Sequence, residues 1–260
     1  MKIQFTKYHG TGNDFIMVDC TSYQKEDFVL TNEQIGFLCH RRFGIGADGL
    51  ILIFKHPDLD FEIVYFNSDG SKSFCGNGAR CAVKFAQSLN LFCDTCSFMA
   101  IDGVHSASIH EDLVSLKMSN VSSLKIEDNN YIIHTGSPHF IRFTSCLENE
   151  NIVQYGKEIR YSDTYKKDGI NVNIVEELSP NKVQMLTYER GVEDETYSCG
   201  TGATAVALAV ADKNKSSYFD VIINVKGGQL RVTGERDGDT FHSIYLIGPA
   251  EKVFIGEINL

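Results

Sequence analysis

The chain has 260 residues, 43% of them hydrophobic and 22% charged, the composition of a folded globular protein long enough for two ordinary domains. Its formal net charge of -10, with no run of lysine or arginine, argues against binding to phosphate backbones, so no nucleic-acid partner is expected. No apolar stretch is long enough to span a membrane, and residues 1–7 lack the continuous apolar core of a signal peptide, so a cytoplasmic protein with no membrane partner is expected.

The predicted elements are mostly short strands punctuated by glycine turns. Residues 2–8 alternate, with Ile3 and Phe5 on one face, and 15–19 form a second strand. Thr31-Asn32-Glu33-Gln34 is a capping box that opens a helix with Ile35, Leu38 and Cys39 on one face. Strands follow at 50–54 and 61–66. Residues 97–101 and 104–109 flank Asp102-Gly103, a two-residue hairpin signal, and 113–118 closes the block. A polar stretch at 120–130 is the softest boundary. Beyond it, 132–143, 170–175, 183–188, 221–225, 230–233, 243–247 and 253–258 read as strands.

Eight cysteines in an intracellular chain of this size point to thiols rather than a disulfide frame. Cys93 and Cys96 make one CxxC, but no second ligand pair accompanies them, so no metal is expected. The informative cysteines belong to an internal echo. Cys75-Gly76-Asn77-Gly78-Ala79-Arg80 matches Cys199-Gly200-Thr201-Gly202-Ala203-Thr204, nearly half the chain away. Each motif follows a strand and a turn, and each opens an apolar helix, over 78–89 and 202–213. The second helix is apolar on every face, which predicts burial. Two related halves follow, each a sheet wrapped around a buried helix.

A cysteine just before a helix meets outward-pointing N–H groups and the positive end of the macrodipole, which lowers its pKa from about 8.5. The glycines allow a ligand close to the backbone, and helix starts bind carboxylates. Two such thiols acting on one carbon, one as thiolate and one as thiol, suffice to invert a stereocentre. A single motif of this kind is as often an ordinary turn with an inert cysteine; the matched pair is what carries the reading.

The chain resembles diaminopimelate epimerases in His9-Gly10-Thr11-Gly12-Asn13-Asp14-Phe15, residues 44–49, Phe66-Asn67-Ser68-Asp69-Gly70-Ser71, both cysteine motifs and Tyr188-Glu189-Arg190-Gly191. The resemblance implies an α+β fold of two pseudo-repeat domains, 1–119 plus 249–260 and 120–248. Each would be a mostly antiparallel sheet or barrel around a central helix, with the active site in the cleft between them. It implies interconversion of LL- and meso-diaminopimelate on the route to lysine and peptidoglycan, without cofactor or metal, by a homodimer. By motif, Cys75 and Cys199 are the two bases, and His139 and Glu189 tune or orient them. Gly76, Asn77, Gly200 and Thr201 would hold the reacting end. Asn13, Asn67, Ser137, Asn171, Glu189 and Arg190 would hold substrate, Arg190 at the distal carboxylate. Asn13 and Asn67 stand in turn-like contexts that also suit a structural asparagine, and His139 follows a Gly-Ser-Pro loop. Two positions depart from the family pattern: Gly49 stands where glutamine is frequent, and Ser137 where asparagine is. The rival from the same two-thiol group is a proline racemase or hydroxyproline epimerase, whose substrates lack a distal charge.

Overall fold

The structure, a computed structural model, describes residues 2–260. In chain order the elements are β1 (Lys2–Gly10), β2 (Asn13–Asp19), α1 (Asn32–Cys39), β3 (Gly49–Phe54), β4 (Phe61–Asn67), α2 (Gly76–Ser88), β5 (Thr95–Ala100), β6 (Gly103–His110) and β7 (Leu113–Lys117). Then come β8 (Lys125–Glu127), β9 (Asn130–His134), β10 (Pro138–Thr144), α3 (Ile152–Arg160), β11 (Asn171–Ser179), β12 (Lys182–Glu189), β13 (Asp194–Thr196) and α4 (Gly200–Lys213). The chain ends with β14 (Tyr218–Val225), β15 (Gly228–Asp237), β16 (Thr240–Pro249) and β17 (Glu251–Asn259). It divides into two compact units, one running through Leu116 and completed by Pro249–Leu260, the other spanning Lys117–Gly248.

The first unit orders its strands β17-β1-β2-β3-β4-β5-β6-β7. The pairs β2–β3 and β4–β5 are parallel and the others antiparallel. The second unit runs β8-β9-β10-β11-β12-β14-β15-β16, with β10–β11 and β12–β14 parallel and the rest antiparallel. The short β13 adds to the side of β12. The sequence of senses is therefore identical in the two units. Helices fall at the same crossovers: α1 and α3 between the first parallel pair, α2 and α4 between the second. The pseudo-repeat extends well beyond the cysteine motifs.

Central strands are buried on both faces, as parallel neighbours require. On β2 and β3, Ile16, Val18, Leu50 and Leu52 join Ile35 and Leu38 of α1 in one cluster. The alternate residues Phe15 and Ile51 turn to α2. In the second unit Phe140, Val172, Ile174 and Tyr188 pack with Ile152 of α3, and His139 and Asn173 turn to α4. Helix α4 is buried on all sides from Gly202 to Asp212. Its alanines suit that place, because they favour the helix and let strands approach closely. Burying a side chain such as Leu208 in this setting stabilises the fold by about 1.5–3 kcal/mol.

The local signals hold with small shifts. Thr31 and Gln34 close their capping box at 3.2 Å and 2.9 Å. The hairpin turn lies one residue earlier than the Asp102-Gly103 signal: Ala100 pairs with Gly103, and Gly103 takes φ 126°. Residues 132–143 are two strands instead of one, because Gly136 at φ 97° turns the chain between β9 and β10. Helix α3 interrupts the strand-rich pattern that the sequence predicts. Its cap Asn151, whose side chain accepts from Gln154 N–H at 3.0 Å, marks it.

Candidate active site

In each unit the first parallel pair of strands begins beside the N-terminus of the buried helix: Phe15 and Ile51 lie under Gly78, and His139 and Asn173 under Gly202. Cys75 is the N-cap of α2 with φ -132° and ψ 117°, and Cys199 is the N-cap of α4 with φ -128° and ψ 112°. Both therefore stand in extended backbone immediately before a helix whose first amides point outward. At the first site, Gly78 N–H lies 3.5 Å from Cys75 Sγ, a donor suited to negative charge on sulfur. At the second, Thr201 Oγ1 lies 3.5 Å from Cys199 Sγ.

Asn13 sits at the start of β2. Its Nδ2 donates to Asp48 Oδ2 at 2.6 Å, so its Oδ1 is turned toward Cys75 Sγ at 3.6 Å and accepts from Asn77 Nδ2 at 3.2 Å. Asp48 is held in turn by Arg41 at 2.7 Å, and Arg41 grips Asp14 with both terminal nitrogens at 2.9 Å and 2.7 Å. Lys7 completes the cluster, 2.8 Å from Asp14 and donating to the Gly46 carbonyl. Burial alone would raise the Asp14 pKa, but its bonds to Arg41 and Lys7 outweigh that and hold it well below the carboxylate range. Asn67 is placed separately, at the end of β4, bonded to Tyr65, Ser71 and Ser73. Gly49 is opposite it in the register. A Cβ on Gly49 would stand 2.4 Å from the Tyr65 ring, so Tyr65 fills that space and a longer side chain is excluded.

The second unit brings together most of the remaining candidates. Asn171 opens β11; its Nδ2 donates to Ser137 Oγ at 2.9 Å and its Oδ1 accepts from Arg190 N–H at 2.9 Å. The Arg190 guanidinium donates to the Asp168 carbonyl at 2.8 Å and reaches Ser137 Oγ at 3.4 Å. Glu189 ends β12 just before it. The turn that presents Arg190 is tied by Glu193, which accepts from Gly191 N–H at 3.1 Å, Tyr188 at 2.9 Å and Tyr161 at 3.1 Å. His139 is fully buried; its Nε2 lies 2.9 Å from Thr201 Oγ1. Burial drives its pKa from the ordinary 6.5 down to about 3, with the charges of His134 and Arg190 adding, so the imidazole is neutral near pH 7. Thr135 donates to the Thr201 carbonyl at 2.8 Å and fixes the helix start.

Gly76 and Asn77, and Gly200 and Thr201, are the first residues of their helices. Residue-type reasoning missed Asp48, Tyr65, Asn173 and Glu193. Asn173 had a signal: asparagine is uncommon in strands, and it falls two residues after Asn171 on the same face. Cys93 is exposed and Cys96 is buried in β5. Among the described residues no cluster of His, Cys, Asp or Glu is placed to hold a metal ion.

Strands folded around a central helix, repeated, make a fold also seen in solved structures of low sequence identity. A phenazine biosynthesis protein of the PhzF family from Bacillus anthracis shares the fold with a TM-score of 0.72, 12% identity and full coverage of both chains. A hydroxyproline epimerase from Agrobacterium vitis does so with a TM-score of 0.68 and 14% identity, over 99% of this chain and 91% of that one. Sequence comparison is more specific. The family model for diaminopimelate epimerase matches residues 5–123 and 131–253. The diaminopimelate epimerase of Flavobacterium psychrophilum is 49% identical over 252 residues, 95% of this chain and 97% of that one. That of Aquifex aeolicus is 35% identical, over 99% and 98% of the two chains. The chain belongs to the diaminopimelate epimerase family.

Proposed function

We propose that the protein epimerises LL-2,6-diaminopimelate to the meso form, an isomerase step toward lysine and peptidoglycan precursors, with two thiols and no cofactor. The observation that carries this reading is the repetition of one device: a cysteine N-cap in the same backbone conformation at topologically equivalent places. Inversion requires that one thiolate remove the α-proton and that the other thiol protonate the opposite face. Backbone amides of Gly76, Asn77, Gly200 and Thr201 bind the α-carboxylate and stabilise the charge that develops as the proton leaves. Donors fixed in advance are worth more there than donors that must reorganise.

Arg190 pairs with the distal carboxylate, aided by Asn13, Asn67, Ser137, Asn171 and Glu189. A proline-type substrate would offer Arg190 no such partner, which favours the longer diacid. His139, being neutral, orients the Cys199 side through Thr201 and takes no part in the proton transfer itself. The domains are assigned as 1–119 plus 249–260 and 120–248, and the active form as a cytoplasmic homodimer with a small-molecule substrate. Among the described residues no helix is long and apolar enough to cross a membrane. NMR of deuterium incorporation at the α-carbon in D2O tests the assignment. Exchange into diaminopimelate and none into proline or hydroxyproline is expected; the reverse preference would overturn it.

A further inference from the structure

The repeat places two residues per unit under the fourth residue of its Cys-Gly-x-Gly motif. A Cβ on Gly78 would meet Ile51 at 3.1 Å and Phe15 at 3.3 Å. A Cβ on Gly202 would meet Asn173 Oδ1 at 2.9 Å and His139 Cε1 at 3.3 Å. The register agrees. Phe15 pairs with Gly49 and His139 with Asn171, and Ile51 and Asn173 each lie two residues further along β3 and β11. An apolar pair in one unit is thus a fully buried polar pair in the other. A buried asparagine is destabilising unless its bonds are made, and a plain packing role would be met by another isoleucine.

The bonds of Asn173 are fixed in direction. Its Nδ2 faces the Phe140 carbonyl at 3.2 Å, an atom that can only accept, and its Oδ1 accepts from Thr187 Oγ1 at 3.0 Å. Turning the amide over would set two carbonyl oxygens against each other. The same Nδ2 lies 3.2 Å from His139 Nδ1. That ring nitrogen must therefore accept, which leaves the proton on Nε2. His139 Nε2 is 2.9 Å from Thr201 Oγ1, and Thr201 Oγ1 is 3.5 Å from Cys199 Sγ. Asn171 Nδ2 also approaches His139 Nε2, at 3.5 Å, but its nearer partner is Ser137 Oγ at 2.9 Å.

The geometry points to Asn173 as a positioning residue for Cys199: it holds the His139 proton on Nε2, His139 donates to Thr201, and the Thr201 hydroxyl is left to donate to the sulfur. The inference rests on the proposed thiol chemistry. The ring cannot easily take a second proton, because an Nδ1–H would face the Asn173 N–H; a neutral imidazole in this place agrees with its depressed pKa. The device belongs to one half of the repeat alone, so the two thiols are oriented by different means.

The test reads the tautomer directly. Protein labelled with 15N-histidine is examined by long-range proton–nitrogen NMR without substrate, and the His139 signals are assigned by their loss in His139→Gln. The Nε2–H tautomer is expected in the wild type, and an Nδ1–H tautomer there overturns the proposal without any further variant. In Asn173→Asp the carboxylate should draw the ring proton to Nδ1, with kcat falling by about 10²-fold, the scale of a lost alignment, and KM changing by less than about twofold. An Nε2–H signal that persists in Asn173→Asp would also overturn the proposal. Thr201→Val should keep the wild-type tautomer and lose a similar factor in kcat; a Thr201→Val enzyme with full kcat contradicts the link to Cys199. Wild-type enzyme that leaves the diaminopimelate α-proton unexchanged would refute the function and leave the tautomer assignment standing.

Discussion

The two halves share strand order, strand sense and helix placement, and they differ in the residues beneath the start of each buried helix. In the first, the helix start rests on Phe15 and Ile51, and charge enters from Arg80, fully buried on α2 with one long contact of 3.5 Å to the Gly76 carbonyl. Desolvation lowers the Arg80 pKa, while the cysteines beside it oppose that shift. In the second, the equivalent floor is His139 and Asn173, neutral and hydrogen-bonded, and Thr204 occupies the place of Arg80 in the motif. A duplicated fold thus supplies two equivalent N-cap positions, and the residues beneath them supply different surroundings. Symmetry of backbone with asymmetry of environment suits a reaction in which one thiol takes a proton while the other gives one.

Removing either thiol should have the largest effect. Cys75→Ala and Cys199→Ala are each expected to lose the general acid–base contribution, at least about 10²–10⁴-fold in kcat, with circular dichroism unchanged. If one of them retains near wild-type turnover, the halves are not equivalent partners. Next comes Arg190→Met, present in one half only. Stranding a desolvated carboxylate should cost about 2–5 kcal/mol in kcat/KM for diaminopimelate; an unchanged value would make Arg190 a scaffold residue.

The third prediction compares the motif glycines by urea unfolding. Gly202→Ala forces a Cβ to 2.9 Å from an Asn173 oxygen that is already pinned, and should destabilise by about 1–3 kcal/mol. Gly78→Ala meets Ile51 at 3.1 Å, a methyl that can shift, and gains about 1 kcal/mol of helix propensity, so it should be close to neutral. Equal losses would show that the two floors yield alike.

The last prediction is a separation of pH windows. His139 has a folded pKa of about 3 against about 6.5 unfolded, so the unfolded chain binds the extra proton and stability falls as pH drops from about 6.5 toward 3. Asp14 is depressed in the first half, so its contribution is present above about pH 4 and is lost only below that. His139→Gln should flatten the upper window of a urea titration and leave the lower one. A variant that keeps the upper slope would assign it elsewhere.

Much of this organisation was legible in the sequence. The matched Cys-Gly-x-Gly motifs showed the repeat, and the all-apolar run after Cys199 showed a buried helix. The capping box at Thr31 gave the start of α1. What was hidden depends on pairing between distant strands. Nothing local says that Asp48 will orient Asn13, that Tyr65 will fill the space above Gly49, or that Asn173 will lie under His139. The 132–143 stretch read as one strand because its apolar residues continue across a turn that Gly136 makes with positive φ. Helix α3 escaped because its apolar stripe is short, although Asn151 marks its start.

The claim that two thiols share one inversion is tested most directly by a single experiment in D2O. LL-diaminopimelate is carried to low conversion, and deuterium at the α-carbon is measured separately in the product and in the remaining substrate. The account predicts a meso product deuterated at the inverted centre and a remaining LL pool that is nearly free of deuterium, because the abstracted proton and the delivered one sit on different sulfurs. Deuterium appearing equally fast in both pools would contradict it, since that pattern requires one base serving both faces.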